Sequence, residues 1–554
     1  MPNVTPALFT PLNLNQDSSL PQRFTFPYYY TPHPISQTAV EDLQQKLTHN
    51  GIDQHATGHL YAVLVVEHQD TGNLGYLSAF SGQALDQDLQ ANASTLSFVP
   101  SVFNLSAFNE HYAQQLKQKN LLTQEIALLA KQHNLVELAQ QLENQKLAQR
   151  SAIEQYQQRM AENKAHRNAL RIEAEKELTS EQELNVALKQ MANQSSQEKR
   201  ELKALRIQWK NTLADTQQQI EHAQQRIEST QSQYQALSKE IESLRLTYYS
   251  FINKHGEEQT LLDLLHGQPA IENSGDCCLP KLLNYAFSHQ LKPLATAEFW
   301  WGCPPKQEIR QHGNFYPVCQ SKCFEIIEHQ LTDIALDDNP LIVNPAVGKS
   351  FDIVYEDNDV VVVNKPAEFL SVPGKFIEDS IYTRIKARYP DATGPLIIHR
   401  LDMSTSGLLV LALNSESNKH IQKQFIERKV DKRYTALLDG TVIKQSGDIN
   451  LPMRGDITDR PRQLVCDEHG RHAETHWQVI ERRENQTLVY LYPKTGRTHQ
   501  LRVHCAHPNG LGVPISGDDL YGFKRDRLHL HAGYIKFIHP RTGESMEFEV
   551  PANF

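Results

Sequence analysis

Between Pro100 and Gly256 the chain contains no glycine and no proline. Without these two punctuating residues, and rich in Gln, Glu, Ala, Leu and Lys, that stretch reads as helix and excludes a loop-rich or β-rich domain there. The sequence also lacks any run of about eighteen apolar residues, so no segment is expected to cross a membrane. Its first residues, MPNVTPALFTPLNLNQDSS, have no basic segment followed by an apolar core. They do not read as a signal peptide, and the cytoplasm is the expected compartment. Cysteine is scarce and odd in number: Cys277, Cys278, Cys303, Cys319, Cys323, Cys466 and Cys505. An odd set without a signal argues against a disulfide framework. Basic charge is in deficit, with 55 Lys and Arg against 65 Asp and Glu, a net of −10. The deficit is uneven. From Lys349 onward there are 28 basic and 27 acidic residues, and the preceding 348 residues hold 27 and 38. Any nucleic-acid contact must then come from a local basic groove, not a global field.

A length of 554 residues is too much for one core and implies about three or four units. In the helical stretch Leu213, Ile220, Ile227, Tyr234, Ile241 and Tyr248 recur every seven residues, with Ala223, Leu237 and Leu244 three further on. That is a coiled-coil seam. Leu121, Leu128, Leu135 and Leu142 show the same period in the first half. A single straight helix would be roughly 230 Å long at 1.5 Å per residue. A hairpin turning at Asn193-Gln194-Ser195-Ser196-Gln197 is expected, and a homodimer is the open alternative. Before the coil, Gly58–Glu67 and Gly75–Phe80 read as a strand pair around the turn Gln69–Gly72. The expected layout is therefore 1–100 and 256–331 as two parts of one small α/β domain, with the coiled coil 101–255 inserted. A linker, 332–348, then leads to an α+β domain over 349–554.

The most informative run is His399-Arg400-Leu401-Asp402-Met403-Ser404-Thr405-Ser406-Gly407-Leu408-Leu409-Val410-Leu411. It sets a carboxylate beside an arginine at the edge of a buried strand. Alone, Asp402 would be an ordinary turn-closing aspartate. Three further clusters share the segment: Asp359–Pro366 leading to Leu370-Ser371-Val372-Pro373-Gly374; Lys432-Arg433-Tyr434-Thr435-Ala436-Leu437-Leu438-Asp439-Gly440; and Lys494-Thr495-Gly496-Arg497-Thr498-His499-Gln500-Leu501-Arg502-Val503-His504, followed by Gly517-Asp518-Asp519-Leu520-Tyr521-Gly522.

With these motifs in this order, residues 349–554 resemble the RluA family of RNA pseudouridine synthases, nearest to members that modify both large-subunit rRNA and a tRNA anticodon loop. The resemblance implies the α+β pseudouridine synthase fold, a mixed, largely antiparallel sheet with a central active-site cleft. It implies Asp402 as the catalytic aspartate, Tyr434 as the active-site tyrosine, Arg502 as the arginine paired with Asp402, and Arg400 as a filler for the gap left by a flipped base. Lys494, Arg497 and Gln500 are expected to contact substrate, with Arg454, Arg460 and Arg462 as further phosphate contacts. His399 is expected to be structural.

The chemistry agrees with these roles. Making pseudouridine breaks the N1–C1′ bond, turns the uracil and rejoins it through C5. A carboxylate serves either by attacking the sugar or by abstracting a sugar proton. An arginine keeps it ionised, a tyrosine stacks on the base and helps remove the C5 proton, and the base must first be flipped. Nothing is oxidised or reduced, so no cofactor is expected. Cys277, Cys303, Cys319 and Cys323 are zinc candidates, and reduced buried thiols are the alternative. Phe299-Trp300-Trp301 and Phe315-Tyr316-Pro317 read as core or as a base-stacking face. RNA is the expected partner, with homodimer or ribosome contact through the coiled coil. The competing reading is a non-catalytic RNA- or ribosome-binding protein, or a coiled-coil scaffold, that retains the fold.

Overall fold

The computed structural model describes residues 6–13, 19–28, 31–52, 55–83, 96–132, 135–177, 180–271, 273–457 and 459–554. The chain divides into two compact units, Met1–Asn104 with Tyr249–Phe554, and Leu105–Tyr248.

The second unit consists of the helices Leu105–His111, Ala113–Gln132, Leu135–Glu177 and Glu181–Leu246. The last runs antiparallel to the two before it. Arg167 pairs with Glu198 at 2.7 Å, Tyr156 bonds Glu201 at 2.5 Å, and Lys119 sits 5.6 Å from the centre of the Tyr234 ring. The helix Glu181–Leu246 starts after Ser180, which stands at the N-cap in extended conformation with no side-chain bond to the helix. Asn193–Gln197, expected as the turn, are helical: all five are polar, and none is a residue that breaks a helix. The seam is also shifted at the start of the first half, although Leu135 and Leu142 further along stay partly buried. Leu121 and Leu128 are 56% and 52% exposed, while Leu122 and Leu129 are 7% and 2% exposed. On the last helix the buried stripe includes Thr216 and Thr230, whose hydroxyls donate to Thr212 O and Arg226 O one turn back. A satisfied hydroxyl can sit in an apolar seam, which a purely hydrophobic heptad search misses.

The first 316 residues contribute β1 (Thr10–Pro11), β2 (His59–His68), β3 (Leu74–Phe80), the short pair β4 (Ser250–Ile252) and β5 (Glu258–Thr260), β6 (Leu291–Trp301) and β7 (Phe315–Tyr316). Five of them form an antiparallel sheet in the order β1-β3-β2-β6-β7, drawing strands from both sides of the helical insertion. Tyr61, Val63 and Val65 pack with Val40, Leu43 and Leu47 of the helix Pro34–His49. Alternation leaves Ala62, Leu64 and Val66 for the other face, and they are fully buried too. Phe299, Trp300 and Trp301 are core residues, not a stacking platform. The stretch 332–348 is held at both ends. Phe24 exchanges backbone bonds with Ala335 and Asp337, and Ala346 is buried with Val361 and Phe369.

The remaining strands are β8 (Asp352–Glu356), β9 (Val360–Lys365), β10 (Ser406–Ala412), β11 (Asp431–Leu438), β12 (Ser446–Asn450), β13 (Met453–Gly455), β14 (Gln463–Val465), β15 (Glu474–Arg483), β16 (Gln486–Pro493), β17 (Leu530–Ile538) and β18 (Ser545–Glu549). Nine of them make one sheet in the order β12-β15-β16-β11-β17-β10-β9-β8, with β18 on β17. Only β10 and β17 run parallel; every other pair in this sheet is antiparallel. The architecture is therefore α+β with a mixed, largely antiparallel sheet. The neighbouring strands β9 and β10 are continuous runs of Val and Leu, as burial on both faces requires. Gly407 opens β10 at a φ of +115°, where a Cβ would lie 2.4 Å from Ala532 O. No other residue fits where β10 meets β17.

Candidate active site

Asp402 lies in the turn just before β10, and both of its neighbours are pinned. Ser371 Oγ donates to Leu401 O at 2.7 Å and accepts from Leu401 N at 3.1 Å. On the other side, Met403 O accepts from Phe369 N and, at 2.9 Å, from Lys365 Nζ. Lys365 is completely buried and donates also to Pro366 O and Phe369 O. Burial pushes its pKa down to about 7, against the opposing charges of Glu368 and Asp402. The motif 370–374 is thus the clamp for the aspartate turn. Neither Lys365 nor Ser371 was singled out from sequence, although both sit in motifs that were.

Tyr434 lies on β11 at a register shift in its pairing with β17. Such a bulge re-aims a side chain. Burial, and then the charge of Asp402, raise its phenol pKa well above the usual range, so the hydroxyl stays protonated at neutral pH.

Arg502 is on the helix Gln500–Ala506 and is 3% exposed. It does not pair with Asp402. Its Nε donates to Asp518 Oδ2 at 2.9 Å, and its Nη2 donates to Asp518 Oδ1 at 2.5 Å and Asp519 Oδ1 at 2.9 Å. Asp518 is fully buried and also accepts from Leu520 N and Tyr521 N. Burial alone would raise its carboxyl, but the Arg502 charge and these bonds hold it below the ordinary range. A buried guanidinium demands a fork-shaped partner, and the doublet in Gly517–Gly522 supplies it. The partially exposed Asp402 keeps its oxygens for the cleft. Tyr521 completes the support, its ring centre 5.4 Å from the Arg502 guanidinium and its hydroxyl 3.0 Å from His499 Nδ1.

One cleft of about 1400 Å³ brings these groups together. It is lined by Arg400, Asp402, Tyr434, Lys494, Arg497, Gln500 and Arg502, and also by Lys432, Arg433 and Pro461. The volume exceeds the usual small-molecule range of about 300–1,000 Å³. Arg400, Lys494 and Arg497 are exposed on it. Gln500 is not free to bind: its amide accepts from Thr495 Oγ1 and Arg497 N and donates to Glu474 O and Thr475 Oγ1. It braces the turn that carries Arg497. Arg462 likewise is no phosphate contact, being 6% exposed and committed to the carbonyls of Leu520 and Ile309. Arg460 is exposed, and Arg454 is half-buried, reaching Gly455 O at 3.4 Å; neither lines the cleft. His399 accepts from Val410 N through Nε2 and stacks on Phe425, a structural role, with burial lowering its pKa to about 3.

Three of the four cysteines considered for zinc lie together, the Cys277 thiol within hydrogen-bond reach of Cys319 and Cys323, but the three are not a set of ligand atoms all within 4.8 Å of one another. Cys303 is exposed, while Cys277 and Cys323 are buried. Among the described residues the one cluster with three ligand atoms within 4.8 Å of one another is Asp357, Asp359 and His539. There the Asp359 carboxylate already accepts from Asn414, Ser417 and Arg541, so it is an ion-pair network and not a vacant ligand set.

An aspartate held at a strand edge, a protonated tyrosine and a buried arginine facing one basic-rimmed cleft define a class. A family profile described as RNA pseudouridylate synthase matches residues 359–507, the span that carries all three. The Vibrio cholerae dual-specificity RNA pseudouridine synthase RluA is 42% identical over 218 residues, covering 38% of this chain and 86% of its own length. The Escherichia coli K12 protein of the same description is 43% identical over 210 residues, covering 36% and 93%. The chain belongs to the RluA family of RNA pseudouridine synthases, isomerases that convert uridine to pseudouridine. A solved human structure, RNA Pseudouridylate Synthase Domain Containing 1, is 32% identical, covers 36% of this chain and 83% of that one, and has a TM-score of 0.32. No helix among the described residues is long and apolar enough to cross a membrane.

Proposed function

We propose that the cleft isomerises uridines of structured RNA, in large-subunit rRNA and a tRNA anticodon loop, in the cytoplasm. The base flips out of its stack at a cost of a few kcal/mol. Arg400, exposed on the rim, takes its place, and Lys494 and Arg497 hold the flanking phosphates. The Asp402 carboxylate acts at the ribose, by attack at C1′ or by removal of a sugar proton, and the N1–C1′ bond breaks. The uracil turns while stacked on Tyr434, and C5 bonds to C1′ as any Asp402–C1′ bond breaks. The C5 proton leaves by relay through the neutral Tyr434 hydroxyl, which accepts it on oxygen while giving up its own to solvent, as N1 takes up a proton. Arg502, fixed by Asp518 and Asp519, offers its remaining donor, Nη1, to the reacting centre. The observation that carries this reading is the convergence of Asp402, Tyr434 and Arg502 from three separate elements on one cleft.

The test is pseudouridine mapping in RNA from cells lacking the gene, complemented with wild type or Asp402→Asn. Sites that return with wild type and not with Asp402→Asn support the proposal, and sites that return with both overturn it.

A further inference from the structure

The hairpin β13–β14 lies outside the nine-stranded sheet: Met453 pairs with Val465, Arg454 with Leu464 and Gly455 with Gln463, and Met453 also bridges Arg471. A two-stranded ribbon this short is marginal in water and needs support from elsewhere. It matters to the site because Pro461, in its connecting loop, lines the cleft.

Its own domain supports it through the Met453–Arg471 bridge and through Gln463 N, which donates to the Tyr521 hydroxyl at 2.7 Å, and the small N-terminal domain adds further contacts. The loop between β6 and β7 crosses to the hairpin and buries Ile309 to 5% exposure in a cluster with Met453, Val465, Val503, Ala506 and Tyr521. Arg310 follows, its side chain only 13% exposed, pairing with Asp459 at 2.8 Å and Glu308 at 3.0 Å. Its guanidinium lies 4.8 Å from the centre of the Tyr316 ring. Gln307 O accepts from Val465 N at 3.3 Å, and Gln311 Nε2 donates to Tyr521 O at 2.9 Å. Asn314 Nδ2 donates to Gly522 O at 3.0 Å, and Lys306 O lies 3.1 Å from His507 Nε2. Contacts of this kind, an apolar plug with a shielded ion pair and backbone bonds around it, fix a loop in one geometry.

We infer that the loop 304–314 is a brace that holds the hairpin 453–465 in its substrate-gripping position, with Ile309 and Arg310 as positioning residues. The consequence for RNA binding rests on the synthase reading above.

The experiment uses the full chain and Arg310→Ala, Asp459→Asn and the double variant. Hydrogen exchange is read at the amides of Asp456, Arg462 and Val465, and turnover as tritium released from a 23S rRNA transcript labelled at uridine C5. The brace predicts at least tenfold faster exchange at these amides, with the β2–β6 amides unchanged as the control for folding. It predicts a KM raised about tenfold at a kcat within twofold, and a double variant no worse than the worse single one. Unchanged exchange in the hairpin overturns the brace. Faster exchange with an unchanged KM overturns its role in gripping RNA. A wild-type chain that releases no tritium counts against the synthase reading alone, because the exchange data still decide the brace.

Discussion

Arg502 Nη2 lies 2.5 Å from Asp518 Oδ1, and this buried pair, not a pair with Asp402, is what anchors the arginine of the cleft. The distinction separates two jobs. Asp518 satisfies a guanidinium that has no water, and Asp402 is left with unshared oxygens beside Tyr434. Arg502 is therefore anchored by Asp518 and Asp519 and is not locked in an ion pair with Asp402.

Asp518→Ala should be among the more destabilising single changes in this domain. The Arg502 and Asp518 side chains are 4% and 0% exposed, and removing one partner strands a buried charge. A loss of about 3–5 kcal/mol is expected. Urea unfolding followed at the C-terminal domain measures it, and a loss below about 1 kcal/mol would mean that water reaches Arg502.

Asp402→Asn should leave the fold intact and remove activity by a factor on the order of 10⁴. The side chain is half-exposed, and no side-chain bond to the described protein is lost with the charge. Unchanged melting with no pseudouridine formed is the expected pair of results.

Lys365 should make stability depend on alkaline pH. Its folded pKa, about 7, lies below the unfolded value of 10.5, so the unfolded chain binds more protons between the two. Stability from this group is then lowest below pH 7 and rises toward pH 10, at up to about 1.4 kcal/mol per pH unit. Lys365→Met removes that slope while losing three bonds to carbonyls. The quantity to compare is the difference in unfolding free energy between wild type and variant at pH 7 and pH 9.5. A difference that stays constant would contradict the assignment.

In the helical unit, Leu129→Ala should cost about 2–3 kcal/mol, and Leu128→Ala no more than about 0.5 kcal/mol. The two leucines are adjacent, but one is 2% and the other 52% exposed. Thermal melts by circular dichroism distinguish them, and equal effects would show that the seam lies elsewhere.

The sequence alone determined the helical stretch, because 155 residues without glycine or proline leave few alternatives to helix. Its motifs, through their resemblance to the RluA family, also pointed to the fold class and reaction of the last domain. It could not determine contacts between residues far apart in the chain. The turn of the hairpin was misplaced, because polar side chains can sit on an exposed helix as well as in a loop. The leucine row was misread at its first two positions, where Leu122 and Leu129 are buried in place of Leu121 and Leu128, because adjacent leucines repeat with the same period there. Arg502 was paired with the wrong aspartate, because only the folded chain shows which carboxylate is buried deeply enough to compensate a buried guanidinium. Gln500 and Arg462 look like substrate contacts in sequence, and only packing shows that their polar atoms are already taken. Tertiary structure alone placed Ile309 and Arg310 against a hairpin about 150 residues downstream, where burial and charge pairing depend on three-dimensional proximity.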